Sequence, residues 1–340
     1  MTNRTVSRRD ALRIVAVAGV SVAFGGRLTM SLLKEAGLHR VSQTRTQMGT
    51  LVTLTVVHPD EASARAMIAS AFSEMNRLES ILSRHRDDTP VSLLNRTGRL
   101  DRVPNELTLV VADAEAMSVR SGGAFDVTVA PLLSLVESSF LRDGCPPSDD
   151  SVERILELVD HKAFRIENDV MSFERPGMSV TLDGIAKGFI VDRTKDVLLR
   201  AGAERVMVNA GGDIATADGS GINPWTVGVQ DPDHEQGIVT VVRLDGVSLA
   251  TSGDYMRSFT NDRTYHHIVD PRTGRSPQEV ASVSVLHPSA MGADAYATAL
   301  LVMGTADGMT MVEASEDVEG LFVNKQGERT VSSGFAARGV

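Results

Sequence analysis

From Leu51 to Val57 the chain alternates apolar and polar side chains, and from Glu61 onward Met67, Ile68, Ala71, Phe72, Met75, Leu78 and Leu82 recur at helical spacing. Period two predicts a half-buried strand and period 3.6 an amphipathic helix, with Asp60 as its N-cap. A second stripe, Leu107, Val110, Val111 and Ala114, predicts a helix that starts after Asn105 and stops at Gly122-Gly123. After the polar loop Asp143 to Asp150 come a short helix from Val152 to Val159 and short strands at Phe164 to Ile166 and Val170 to Phe173. A further helix opens near Thr181 and ends near Gly202. Beyond it, Val206 to Val208, Trp225 to Val229, Val239 to Val242, His267 to Val269 and Ser282 to Leu286 read as strands separated by glycine-rich turns. Such an order predicts an α+β fold, a largely antiparallel sheet with helices packed on it, and not a regular βαβ alternation. Aromatic residues make up only 4% of the chain, and the single Trp225 reads as a core anchor.

Length and charge narrow the picture. The 340 residues, 42% of them hydrophobic, suffice for a substantial core. Ahead of the first strand, Ser7-Arg-Arg-Asp-Ala-Leu-Arg13 precedes the apolar run Ile14 to Phe24 and Gly25-Gly26. Residues 1–30 therefore read as a twin-arginine export signal that delivers the body to the periplasm. An uncleaved anchor is the alternative, although the run is shorter than the roughly 20 residues of a membrane span. Removing residues 1–30 moves the formal charge from −10 to −14. An acidic body excludes nucleic acid as a partner, and any anionic ligand must be held by local features. Cys145 is the only cysteine, so no internal disulfide forms.

Three segments carry candidate chemistry. Asp294-Ala-Tyr-Ala-Thr298 places a carboxylate and a hydroxyl four residues apart, on one helix face, and hard cations such as Mg²⁺ take oxygen ligands of this kind. Otherwise Asp294 is a helix-surface residue and Thr298 bonds back to its own helix. His267 leads into Asp270-Pro-Arg-Thr-Gly274, a turn, and is a candidate base whose pKa is expected near neutrality. Alternation along the expected strand puts His266 on the opposite side. Thr181-Leu-Asp-Gly-Ile-Ala-Lys-Gly188 places small residues and a lysine at a helix start, where free backbone N–H groups favour phosphate.

Together with Met48-Gly-Thr50, Gly122-Gly-Ala-Phe-Asp126, Asn209-Ala-Gly-Gly-Asp213 and Thr251-Ser-Gly-Asp-Tyr255, in this order, these segments resemble the ApbE family of FAD:protein FMN transferases from about Met48 to about Gly304. The resemblance implies a T-fold-like body over residues 31–340 that moves FMN from FAD to a threonine or serine hydroxyl of a partner flavoprotein, with AMP leaving. It implies His267 as base and Mg²⁺ bound by Asp294, Thr298 and the backbone carbonyl of Gly184. FAD contacts fall on Met48, Ala124, Phe125, Asp126, Thr181, Lys187, Ser252 and Asp254. Met48 reads equally as a packing residue, and the loops carrying Ser252, Asp254 and Gly211-Gly212 equally as ordinary turns. The chain departs from the family pattern at Thr181, where an acidic residue is frequent, at the adjacent Asp183, and at His85, where a tyrosine is frequent. The Thr181 to Gly188 segment is similar to an exported, NosX-like subgroup linked to respiratory flavoproteins, which makes a membrane-associated redox protein the expected acceptor. Hydrolysis of FAD to FMN and AMP, or a non-catalytic FAD carrier, are the competing functions.

Overall fold

Strand β1 (His39–Gln47) pairs antiparallel with β2 (Thr50–His58) through a two-residue turn at Met48-Gly49, where both residues hold positive φ of 52° and 71°. The computed structural model describes residues 37–218, 224–234 and 236–339, so the export-signal reading of residues 1–30 lies outside the described residues. Helix α1 (Glu61–Leu82) follows, and Asp60 caps it by accepting the Ser63 N–H at 2.7 Å. Then come α2 (Pro90–Thr97), β3 (Arg99–Asp101), α3 (Asn105–Arg120), α4 (Ala130–Asp143) and α5 (Asp149–Leu156). The hairpin β4 (Phe164–Glu167) and β5 (Val170–Phe173) precedes α6 (Ala186–Arg200). The second half holds β6 (Arg205–Ala210), β7 (Asp213–Asp218), β8 (Trp225–Gln230), β9 (Ile238–Leu244), β10 (Ser248–Gly253) and β11 (Val280–His287). It closes with α7 (Ala290–Met303), α8 (Thr305–Glu313), β12 (Glu319–Asn324), β13 (Arg329–Val331) and α9 (Ser333–Ala337).

Eight strands form one antiparallel sheet in the order β1-β2-β6-β7-β10-β11-β12-β13. Its middle is buried on both faces, so every residue of β6 and all but the last of β11 are buried, the serines Ser282 and Ser284 included. Alternation sorts the side chains into two cores. Val206, Val208, Ala250, Val283 and Val285 pack with the helices, whereas Met207, Leu249, Leu286 and Leu321 pack with the β8–β9 hairpin and Phe335 of α9. Trp225 anchors the second core, as expected, with 5% of its surface exposed.

Helix α7 is buried nearly all round, and its alanines let α6 come close. The approach is tight enough that a β-carbon on Gly188 would lie 2.2 Å from the Ala290 carbonyl oxygen. This contact brings Lys187 at the start of α6 next to Asp294 on α7. Among the described residues no helix is long and apolar enough to cross a membrane.

Two expectations need correction here. Residues His267 to Val269 are not a strand. His267 donates its N–H to the Arg257 carbonyl at 3.0 Å and His266 donates to Ser276 Oγ at 3.1 Å, so loop atoms satisfy the backbone that a sheet neighbour would otherwise serve. The short helix expected at Val152 to Val159 starts earlier, at Asp149 behind Ser148, and ends at Leu156.

A candidate active site at the junction of α6, α7 and β10

Helix α3 ends at Arg120, and Gly122 and Gly123, at φ 59° and 81°, swing the chain into the wall Ala124-Phe125-Asp126. Asp126 caps a short 3₁₀ turn. One of its oxygens accepts the Thr128 N–H at 2.8 Å and the Thr128 hydroxyl at 2.6 Å, and the other accepts the His161 N–H at 2.9 Å. Its carboxylate is thus committed to holding the wall. Thr181 donates its N–H to the Val127 carbonyl at 2.8 Å, which lays the next segment against that wall. The cavity so framed is lined by Ala124, Phe125, Asp126, Thr181, Gly184 and Lys187, by Ser252 of β10, by His267, and by Asp294 and Thr298 of α7.

Its floor is a buried charge cluster. Asp294 Oδ2 accepts the Gly188 N–H at 3.0 Å, so the first turn of α6 is directed at a carboxylate of the protein itself. Helix α6 begins at Ala186, after a turn, and not at Thr181. Thr298 Oγ1 lies 3.2 Å from Ser252 Oγ, not back-bonded to its helix, and a β-carbon on Gly184 would meet it at 3.0 Å. Gly184, Asp294 and Thr298 therefore converge, and glycine is the residue that allows the backbone so near the hydroxyl. Lys187 Nζ stands 3.3 Å from Asp213 Oδ2, an ion pair without hydrogen-bond alignment that leaves this fully buried oxygen with unused accepting capacity. Burial raises both Asp213 and Asp294 above the usual carboxylate range, and repulsion from Asp213 raises Asp294 further. Burial lowers Lys187, but attraction from Asp213 and Asp294 outweighs it and the net shift is upward. No group of three or more His, Cys, Asp or Glu is placed to hold a metal ion among the described residues. The oxygen set here is instead mixed, carboxylate with hydroxyl and carbonyl, of the kind a hard cation takes.

The two adjacent histidines differ sharply. His266 is fully buried and its Nε2 donates to the Pro277 carbonyl at 3.1 Å, while Nδ1 has no hydrogen-bond partner. His267 faces the cavity, half-buried, with Nδ1 3.1 Å from the Arg257 carbonyl. A carbonyl can only accept, so Nδ1 carries the proton and Nε2 keeps its lone pair. Burial pushes His267 down to about 4, helped by the Arg257 and Lys187 charges, in place of the near-neutral value expected. The ring is therefore a neutral proton acceptor at pH 7.

At the rim, Asp183 receives Arg84 Nε at 2.9 Å and His85 Nε2 at 3.3 Å. The departures from the family pattern at Asp183 and His85 are thus one feature in space.

A model of the ApbE family matches residues 48–322. The chain belongs to the ApbE family. It is 30% identical over 292 residues to an FAD:protein FMN transferase of Klebsiella pneumoniae, covering 84% of this chain and 90% of that protein. It is 31% identical over 280 residues to one of Vibrio cholerae, covering 79% and 83%. The ApbE protein of Thermotoga maritima superimposes with a TM-score of 0.80 at 28% identity over 88% of this chain and 99% of its own. The flavin transferase ApbE from Vibrio cholerae gives 0.76 at 30% identity, over 88% and 99%.

Within this ApbE chain, ten of the twelve nominated residues line one cavity. Met48 does not. It sits at the β1–β2 turn, packs partly on the main core and lines a separate cleft with Arg45 and Arg86. Asp254 is also absent from the lining: it is fully buried, 3.5 Å from both Arg263 Nη1 and Lys325 Nζ. Ser252 stands on β10 and not on a loop. Asp213 closes the Asn209-Ala-Gly-Gly-Asp213 segment but has no role in the sequence reading of the site, and Arg257 is not singled out there at all, because its contribution is a backbone oxygen without a sequence signature.

Proposed function

We propose that this protein transfers FMN from FAD to a serine or threonine hydroxyl of a partner protein. The new bond joins the hydroxyl oxygen to the FMN phosphorus, the bond from that phosphorus to the bridging oxygen breaks, and AMP leaves. His267 Nε2 takes the hydroxyl proton. The single observation that carries this reading is that a neutral imidazole with its lone pair held free by Arg257 shares one cavity with the Gly184, Lys187, Asp294 and Thr298 cluster. Little covalent chemistry is asked of the protein, since phosphoryl transfer depends mainly on positioning and charge.

Mg²⁺ fits this floor. Two buried carboxyl groups, Asp213 and Asp294, crowd the single ammonium of Lys187, and Asp213 Oδ2 has no well-aligned donor, so a further cation would relieve the crowding that raises both acids. Asp294, Thr298 and the Gly184 carbonyl would hold the ion, which when bound offsets charge on the pyrophosphate. Lys187 adds a fixed cation, and Phe125 with Ile268 and Val269 supplies an apolar lining that limits water.

The acceptor is a respiratory or membrane-associated flavoprotein reached after twin-arginine export, a reading that rests on Arg8-Arg9 and Ile14 to Phe24. Changing both arginines to lysine should strand the protein in the cytoplasm, and undiminished periplasmic recovery would count against the route. For the reaction itself, the purified protein is incubated with FAD, Mg²⁺ and a candidate acceptor domain. Acceptor mass should rise by one FMN with one AMP released; AMP without a mass gain would select hydrolysis, and neither product would select a carrier.

A further inference from the structure

The geometry points to Phe140 and Glu137 of α4 as positioning residues for the base: by clamping the segment 257–265 they hold the Arg257 carbonyl that fixes the His267 tautomer. This inference rests on the proposed role of His267. Arg257 O serves His267 twice, accepting its backbone N–H at 3.0 Å and its ring Nδ1–H at 3.1 Å. No carboxylate stands behind the imidazole in this arrangement, so the ring is only as well oriented as one loop carbonyl.

The far end of that loop is anchored apart from α4: Gln278 donates to the Thr264 carbonyl at 2.7 Å, Lys325 donates to the Arg263 carbonyl at 3.0 Å, and Arg263 pairs with Asp233 at 3.1 Å. Phe259 donates its N–H to the Tyr265 carbonyl at 2.7 Å, and Ser258 bridges to His266. The near end, which carries the Arg257 carbonyl, is held by α4. The Phe259 ring stacks on Phe140 with centroids 5.2 Å apart and planes 8° from parallel, and Tyr265 meets the same ring at 5.3 Å. One helical turn earlier, Glu137 Oε1 pairs with Arg257 Nη1 at 3.0 Å. The stack is the stronger contact, since a near-parallel aromatic pair adds specific ring–ring attraction to the apolar area it covers. The ion pair is half-exposed, and solvent screening leaves it weak. The same helix carries Leu133 into the cavity lining, so α4 sets the wall and the base orientation together.

Phe140→Ala in the full chain should lower kcat for FMN transfer by about tenfold, a fraction of the 10²–10⁴ expected for losing a general base. FAD affinity, read by flavin fluorescence, should stay within about twofold, and Phe140→Tyr should restore kcat. In a His267→Ala background Phe140→Ala should cost nothing further, because the two act as a unit. The ¹⁵N spectrum of the His267 ring should show the Nδ1–H tautomer in the wild type and a mixture in Phe140→Ala. Equal losses in both backgrounds, or an unchanged tautomer, would overturn the clamp. Should Phe140→Ala fail to fold, Glu137→Gln carries the test with an expected two- to threefold loss of kcat, roughly what a weak ion pair supports; unchanged kcat and tautomer there would overturn it equally. If His267→Ala itself is neutral, the base reading fails and the clamp with it, whereas a slow His267→Ala beside a normal Phe140→Ala removes the clamp alone.

Discussion

The floor and the rim of the cavity are built from the same parts, carboxylates and cations, yet their ionisation runs in opposite directions. At the rim one carboxylate meets two partners. Burial would raise Asp183, but the His85 hydrogen bond and the Arg84 charge hold it well below the usual range. On the floor two carboxylates share Lys187, and both Asp213 and Asp294 are raised. Partner count, not burial alone, decides the sign. The rim carboxylate has two partners, whereas on the floor two carboxyl groups crowd one ammonium and hold protons more tightly than usual, which is a reason to look there for a cation site and not at the more visible exposed ion pair.

Breaking the floor should have the largest effect. Asp294→Ala removes the carboxyl group that takes the Gly188 N–H and one of the two acidic side chains of the floor. Metal-dependent turnover should fall to background, a loss beyond ~10³ if the ion supplies several kcal/mol of charge stabilisation. Chelation of the wild type should do the same and be reversed by added Mg²⁺. A well-folded Asp294→Ala protein that keeps near-normal transfer at low Mg²⁺ would remove the floor from the mechanism.

The histidine pair sharpens the comparison, since His266 and His267 are both lowered to about 4 by burial but only one faces the cavity. His267→Ala should slow transfer ~10²- to 10⁴-fold with FAD affinity little changed, and His266→Ala should cost under tenfold. The wild-type kcat/KM should stay level from pH 7 to about 5 and fall as His267 protonates near 4. An acid limb near 6.5 would contradict the buried, carbonyl-bound ring. Stability follows the same groups. Each folded-state pKa lies below the unfolded 6.5, so between pH 6.5 and about 4 the unfolded chain binds more protons. Stability should therefore drop as pH falls through that window and level off, for these groups, below it.

Much of this was legible in the chain. Helices α1 and α3 bury one face each, so their stripes and ends could be read directly. Strand β10, Ser-Leu-Ala-Thr-Ser-Gly, could not, because hydroxyls and glycine suggest a loop. They are tolerated within the sheet because Thr251 sits opposite Ser284 and their hydroxyls pair at 2.7 Å. Helix α7 shows no stripe since nearly every face is covered, and only its Asp-x-x-x-Thr spacing marked it. His267 was legible as a residue but not as a conformation: Ile268 and Val269 suggest a strand, and the carbonyl that orients the ring lies ten residues away. Asp213 was hidden for a related reason, because no local pattern announces that a carboxylate after a turn will be buried against a lysine from another element.

The smallest effect should come from the rim, and that smallness is itself the test of the comparison. Asp183 and His85 have side chains 45% and 59% exposed, so solvent screens much of the attraction that Arg84 and His85 exert. Asp183→Asn keeps the shape and removes the charge. Stability at pH 7 should change by under ~1 kcal/mol, the range for exposed pairs. Because the folded pKa of Asp183 is depressed, whatever it contributes is present above the unfolded value and fades as pH falls below it, so the variant and the wild type should converge in acid. Turnover with saturating FAD and Mg²⁺ should stay within about threefold, with any change appearing in KM, because a charge at the mouth acts on binding and not on the reacting bond. A kcat loss at Asp183→Asn approaching that of Asp294→Ala would mean that the rim closes over the reacting phosphate, and the division of the cavity into a working floor and a saturated rim would be wrong.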